Sequence, residues 1–374
     1  MGLPSKLRNL IKVLHKDLKV KIDVEGEEVI ISSTIGVKQG DSLAPVLFIC
    51  YMQACVEVLR EKWEGASIWF RTKYDGVLTG RRWNTKRGAE DFEFDTTLYA
   101  DDGAFIFATR EDLMAGANCV FDVFGKFGLK CHVGTGNKKS KTEAMFFPSC
   151  TAEHLKADTS DFIMGNGIVH FTEQFKYLGT VLDITLSDEA DVDARIKAAG
   201  AAFGALQKSI FGTKNVPLKS KRAAFESIVL GILLHGSESW VLTMKLKARL
   251  DSFYNRCIRR MCGLNRWMTW NFKISQRNLE KRIGVRPLQE TIRTHQLRWA
   301  GHVMRMDESR LPRKFITSWV ENPRRNGRPQ QNYGHTLAKQ LKSAGIPIVN
   351  WHLKSMDRDD WRSLIDPRHS ERLC

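Results

Sequence analysis

The sequence lacks any apolar run of the roughly 18–20 residues that a membrane-spanning helix requires. Its longest apolar stretches, Ala44–Met52 and Ile228–Leu234, are too short. No apolar signal region follows Met1, and Lys6 stands where a myristoylation motif carries Ser or Thr. These absences predict a soluble intracellular protein, nuclear or cytoplasmic, with no membrane partner. Cysteine is sparse: Cys50, Cys55, Cys119, Cys131, Cys150, Cys257, Cys262 and Cys374 form no C-x-x-C pair. Eight thiols spread over 374 residues read as reduced core side chains, which excludes a disulfide framework. A Gly-rich phosphate loop of the P-loop or dinucleotide kind is missing. Internal repeats and low-complexity tracts are missing too.

Positive charge is what the chain has in excess. Its formal net charge is +16, and it is unevenly spread. Residues 1–150 hold 21 basic and 20 acidic side chains, residues 151–200 hold 4 and 9, and residues 201–374 hold 33 and 13. The last segment therefore carries a net +20, a field that draws polyanions. A well-solvated basic surface is the plain alternative. Nucleic acid is favoured because Trp, His and Arg interleave with the charge at Arg298-Trp299, His302, Trp319, Arg324-Arg325 and Arg328. An anionic membrane finds no basic amphipathic anchor here.

The hydrophobic fraction of 43% is enough for packed cores, and the length suggests two or three domains. Residues 3–19 have helical spacing (Leu7, Leu10, Ile11, Leu14), and Val20–Val24 and Val29–Ser33 read as a hairpin about Glu25-Gly26-Glu27. A Gly/Gln/Asp stretch leads to a helix from Pro45 to Lys62, proline being tolerated where its missing N–H would be unpaired anyway. Residues 67–97 suggest paired strands around a basic loop, Arg81-Arg82 to Lys86-Arg87. A hairpin with acids at its tip is expected over Thr97–Phe107, a helix over Glu111–Phe127, and strands at Lys141–Phe147 and Phe175–Leu182. Beyond residue 188 the pattern turns helical, at 189–209, 218–234, 245–262, 275–283, 287–306, 333–344 and 357–365, with a Pro/Gly/Arg linker at 322–331.

Asp101-Asp102 is the chemical focus. Two adjacent carboxylates raise each other's pKa unless a cation or solvent relieves them. A solvated surface turn is one reading. The apolar flanks, Leu98-Tyr99 and Ala104–Phe107, favour the other, a pair at the mouth of a core that takes a divalent cation. Hard oxygen ligands with few nitrogens suit Mg2+ or Mn2+.

These residues carry a resemblance. Tyr99-Ala100-Asp101-Asp102 resembles the Y-x-D-D signature of reverse transcriptases. Gly36-Val37-Lys38-Gln39-Gly40, running on to Pro45-Val46-Leu47-Phe48, is similar to their G-x-x-Q-G block. Lys141-Thr142 stands in the place of a family lysine, and Phe175-Lys176-Tyr177-Leu178-Gly179 resembles the F-K-Y-L-G strand of LINE-type, non-LTR retrotransposon enzymes. The blocks follow in family order, 60 residues from Gln39 to Tyr99 and 34 from Lys141 to Phe175. His235–Trp240, Arg256–Met261, His295–Val303 and Gly327-Arg328-Pro329 extend the likeness through the carboxy-terminal half.

The resemblance implies an α+β fold: a partial reverse-transcriptase palm over 1–185, an all-α thumb over 186–265 and a basic helical region over 266–374. It implies an RNA template, a DNA primer, deoxynucleoside triphosphates and divalent metal. Asp101 becomes a metal ligand and Asp102 a second ligand or electrostatic support. Tyr99 packs near the primer end, and Gln39 and Gly40 line the nucleotide and template side. Lys141 neutralises the leaving pyrophosphate, or else is an ordinary strand-edge lysine. Lys197, Lys219, Lys221 and Arg222, with Lys208 and Lys214, are candidates for the nucleic-acid backbone. The family also uses an earlier aspartate, and neither Asp17 nor Asp23 fits its motif. The expectation is therefore an N-terminally truncated and impaired polymerase. The alternative is an inactive retroelement relic that binds RNA or DNA through its basic half.

Two other clusters of chemistry-bearing side chains stand in the carboxy-terminal half. Cys257, Cys262, His295 and His302 match no zinc-finger spacing, so packing is favoured. An endonuclease site at Asp357, Asp359, Asp360 and Asp366 would need a following catalytic lysine motif, which is missing, and Trp361 at helical spacing points to a capped surface helix.

Overall fold

A computed structural model describes residues 3–16, 18–33, 36–37, 40–62, 68–72, 78, 90–134, 140–147, 157–319 and 332–366. Gln39, the basic loop at 81–87, Asp17 and the linker at 322–331 lie outside the described residues.

In chain order the elements begin with α1 (Ser5–His15), β1 (Leu18–Val24), β2 (Glu27–Ser33), α2 (Ala44–Lys62), β3 (Ile68–Thr72) and β4 (Glu90–Phe94). Next come β5 (Thr96–Tyr99), β6 (Asp102–Phe105), α3 (Arg110–Lys126), β7 (Glu143–Ala144), β8 (Phe162–Met164), β9 (Gly167–Phe171), β10 (Gln174–Tyr177) and β11 (Thr180–Asp183). The helical part holds α4 (Glu189–Ala205), α5 (Leu218–Ala224), α6 (Gly231–Leu233), α7 (Met244–Met261), α8 (Arg266–Asn271), α9 (Gln276–Ile283) and α10 (Leu288–Met304). It closes with α11 (Leu311–Thr317), β12 (Ser318–Trp319), α12 (Tyr333–Ser343), α13 (Trp351–Met356) and α14 (Arg358–Ile365). The architecture is the expected α+β, small sheets first and helices after. No helix among the described residues is long and apolar enough to cross a membrane.

The chain divides into two compact units, one of residues 1–67, 95–137 and 163–167, the other of 68–94, 138–162 and 168–374. In the first, α2 and α3 pack through Met52, Cys55, Val56 and Leu59 on one side and Ala117, Val120 and Val123 on the other. Tyr51 and Phe127 meet edge to face at 5.7 Å. Thr109 caps α3 by accepting from Asp112 N–H, and Glu111 and Asp112 in the first turn suit the positive end of the helix dipole. The β5–β6 hairpin lies on this helix. Phe105 meets Phe124 edge to face at 6.5 Å, and the Phe107 ring fills the space over Gly116, where a Cβ would sit 2.2 Å from it.

The second unit holds two cores. One gathers Val192, Phe203, Phe211, Phe225, Trp240, Leu250, Tyr254 and Ile258, with Phe203 and Phe211 stacked at 4.3 Å. Two π-helical turns, Gln207–Phe211 after α4 and Phe225–Leu230 between α5 and α6, interrupt the helices expected at 189–209 and 218–234. Both turns bring phenylalanines of this cluster to full burial. The other core gathers Leu78, Leu297, Ala300, Met304, Leu337, Leu341, Trp351, Trp361 and Ile365. Asp357 caps α14 by accepting from Asp359 and Asp360 N–H, so those acids serve a helix end.

Phe175–Leu182, expected as one strand, is a hairpin. Leu178 at φ +48° and Gly179 at φ +86° make a two-residue loop, and Tyr177 pairs with Thr180. Two consecutive left-handed residues match the twist of a tight hairpin and reverse the chain. The tip is anchored to α4. Arg195 donates to the Gly179 carbonyl, and Asp191 accepts from Val181 N–H at 3.0 Å. Asp191 also accepts from Trp240 Nε1 at 2.8 Å and lies 3.5 Å from Arg195 Nε. Asp188 accepts from Val241 N–H at 2.6 Å, and Arg249 reaches both Glu189 and Asp193. Much of the acidic bias of 151–200 thus stitches α4 to its surroundings.

The turn after α6 is held by α10. Gln296 donates to the carbonyls of Ser237 (3.2 Å) and Trp240 (2.9 Å), and accepts from Gln340 at 3.0 Å. Ser237 Oγ lies 3.2 Å from His295 Nδ1. Burial depresses the His295 pKa most; Arg298 and Arg286 add to this and Glu238 opposes it. A histidine depressed in the folded state gives stability that is full above its ordinary pKa near 6.5 and is lost as pH falls through the lower folded value. The urea midpoint is therefore expected to fall between pH 7.5 and 5.5, and His295→Asn to flatten that slope. An unchanged slope in the variant would assign the dependence to another group.

Candidate active site

The acids sit at the tip of the β5–β6 hairpin, where Tyr99 pairs with Asp102 and Leu98 with Gly103. Opposed residues share a face. Tyr99, Asp102, Thr97 and Ala104 thus make one face, and Leu98, Gly103, Thr96 and Phe105 the other. Gly103 makes room for the second face: a Cβ there would lie 3.1 Å from Leu98 and 3.2 Å from Phe105. The loop is Ala100-Asp101, with Ala100 at φ +53°. Asp101, Asp102 and Tyr99 are all exposed. The short loop and the strand ends that flank it bring two carboxylates and a phenol ring to one end of a braced hairpin.

In the same unit, Gly36 and Gly40 take φ +88° and +89°, left-handed geometry that explains both glycines of that block. Asp41 accepts from Leu43 N–H at 3.0 Å and shapes the entry to α2. Lys141 belongs to the second unit, exposed just ahead of β7, which pairs in parallel with β9 (Glu143 with His170).

Two hard-oxygen side chains are a beginning of a divalent-metal site, and no more. Among the described residues no group of three or more His, Cys, Asp or Glu is gathered to hold a metal ion. The same holds for the suggested zinc ligands: Cys257 is buried in α7, and burial pushes its thiol up to about 12, away from the thiolate that zinc needs.

The four basic residues suggested for nucleic acid separate into two pairs. Lys197 on α4 and Lys219 on α5 are exposed. Lys221 is 6% exposed, and its ammonium donates to the Met261 carbonyl at 3.5 Å. Arg222 is half-buried and donates to Glu226 Oε1 at 3.1 Å. A buried ammonium held by a carbonyl is turned away from any phosphate, so Lys221 is corrected to an interior cation. Trp267, Trp270 and Phe272, outside the candidates drawn from the sequence, are all strongly exposed on and after α8. Their signal was legible: R-W-M-T-W-N-F-K interleaves rings with cations at helical spacing.

Comparison with known proteins bears on this geometry. The family described as "Reverse transcriptase (RNA-dependent DNA polymerase)" matches residues 1–182, from α1 almost to the end of β11. That segment is therefore similar to reverse transcriptase domains. An uncharacterized transposon-derived protein of Caenorhabditis elegans is 26% identical over 199 residues, covering 52% of this chain and 70% of that protein. A retrovirus-related Pol polyprotein from the type-1 retrotransposable element R2 of Nasonia vitripennis is 29% identical over 189 residues, covering 48% of this chain but 15% of the polyprotein. The likeness is thus to proteins described as transposon-derived and as coming from a retrotransposable element.

Proposed function

We propose that this chain derives its chemistry from RNA-directed DNA polymerisation, and that residues 1–374 by themselves extend a primer poorly. The assignment divides the chain into palm (1–185), thumb (186–265) and basic region (266–374). Asp101 and Asp102 supply two metal-facing carboxylates, and Tyr99 borders the primer end. Gln39 and Gly40 border the template and incoming deoxynucleotide. Lys141 stands on the pyrophosphate side, and Lys197 and Lys219 contact the template–primer backbone. Bound Mg2+ or Mn2+ would activate the attacking hydroxyl and carry charge on the leaving group.

The observation that carries this reading is the pair of exposed acids on a braced hairpin inside the matched segment. That neither Asp17 nor Asp23 fits the family's earlier aspartate motif supports the impairment. It equally favours the second reading, a relic that retains nucleic-acid binding through its basic half. The test is primer extension on an RNA template with Mg2+, with template–primer binding measured beside it. Residues 1–374 are expected to bind, with affinity falling steeply as salt rises, and to extend at background. Extension that Asp101→Ala abolishes would overturn the impairment and keep the site. Failure to bind would overturn both readings.

A further inference from the structure

The basic half carries a built surface that the polymerase reading leaves unused. In α8, Trp267 and Trp270 are three positions apart, and so are neighbours on one helix face. They are 64% and 79% exposed, and Phe272, immediately after the helix, is 63% exposed. Three large rings in solvent within six residues is the reverse of where such rings settle when packing alone decides. α8 is nonetheless well fixed: Asn265 caps it by accepting from Met268 N–H at 2.8 Å, and the adjoining α7 is anchored in the core.

Cations surround the rings. An open groove of about 720 Å³ beside them is lined by Arg259, Arg266, Thr269, Trp270, Asn271 and Lys273. Arg256 and Arg260 lie on the same stretch of α7. None of these five cations has an ion-pair partner among the described residues. They crowd one another instead: partial burial depresses Arg259 most, and the charges of Arg266 and Arg256 add to it. The protein pairs some other arginines with carboxylates, as with Arg249, Arg222 and Arg286. Here it leaves them waiting for an anion.

We propose that Trp267, Trp270 and Phe272, with Arg259, Arg266 and Lys273, form a stacking platform for single-stranded nucleic acid. The rings offer flat apolar faces to bases, and the cations offer a track to the phosphates between them. A duplex does not satisfy this surface, because its bases are already stacked on each other; an unpaired strand does. Stacking tolerates any base, so the platform holds a strand without reading its sequence. This inference rests on the nucleic-acid reading of the basic half and supplies its site.

The test uses the full chain and a fluorescent oligo(dT) or oligo(U), with a duplex of equal length and poly-glutamate as competitors. Tryptophan quenching on binding is expected. Trp267→Ala/Trp270→Ala is expected to weaken single-strand binding by about tenfold or more per ring removed. Duplex binding should change little. Trp270→Tyr should restore most of what Trp270→Ala loses, since a tyrosine ring still stacks. Arg259→Ala/Arg266→Ala should lower the salt slope by about 0.7 per lost phosphate contact. Single-strand binding unaffected by the Trp variants overturns the platform while leaving the polymerase reading intact. Poly-glutamate competing as well as the oligonucleotide, indifferent to the Trp variants, would reassign the surface to acidic protein segments. No nucleic-acid binding by the unmodified chain would overturn the platform and the broader reading together.

Discussion

Replacing Asp191 by alanine is expected to destabilise the second unit by about 3–5 kcal/mol. The carboxylate is 1% exposed and is shared by Val181 N–H, Trp240 Nε1 and Arg195. Alanine removes the acceptor and leaves the buried Trp240 N–H, the half-buried Val181 N–H and a guanidinium without it. Each orphaned donor costs desolvation that water cannot return at a site this closed. The β10–β11 hairpin, α4 and the segment after α6 lose a common fastening. Asp193, on the same helix, faces Arg249 at a half-exposed position, so Asp193→Ala is expected to cost under about 1 kcal/mol. Urea denaturation followed by tryptophan fluorescence and by circular dichroism measures both. Equal midpoints for the two variants would mean that water enters and satisfies the donors.

Trp361→Ala should have an effect of similar size, about 3–5 kcal/mol, by emptying the centre of the second core. The indole is 1% exposed, lies 6.2 Å from Trp351, and donates from Nε1 to the Leu297 carbonyl at 2.9 Å. That carbonyl belongs to α10, and the indole reaches it because Gly301 has no side chain. A Cβ at Gly301 would lie 2.2 Å from Trp361 Nε1. Gly301→Ala must therefore push the ring off its seat, at a cost of about 1–3 kcal/mol. The double variant should cost less than the sum, since the added methyl enters space that the missing ring has vacated. Strict additivity in a denaturation cycle would show that the ring has another resting place.

Much of this was legible in the sequence where one local rule decides. The β1–β2 turn showed in Glu25-Gly26, the acid-tipped hairpin in the apolar flanks of Asp101-Asp102, and α7 and α10 in their spacing. What was not legible depends on partners distant in the chain. Gly179 looked like part of a strand because nothing nearby reveals that Arg195, sixteen residues on, holds its carbonyl in a turn. The π turns deliver Phe211 and Phe225 to a core that α4, α6, α7, α9 and α10 assemble. Lys221 reads as a surface cation in a basic run, and only the carbonyl of Met261, forty residues away, turns it inward. At the candidate site, the hairpin and the two glycines of the Gln-Gly block were readable, because each needs a specific backbone. The surroundings that would complete a metal site were not. The rings of α8 were missed for the opposite reason: their place is on the outside, where hydrophobic periodicity carries no information.

Ala100 holds a left-handed backbone that glycine would adopt at no steric cost, and its methyl group costs the loop about 1 kcal/mol or more. What the methyl group provides in exchange is stiffness. Glycine would open alternative routes round the bend, whereas alanine closes most of them. The carboxylates beyond it then move as one piece with the strand they head, and their spacing is inherited from the ladder below rather than renegotiated with each visitor.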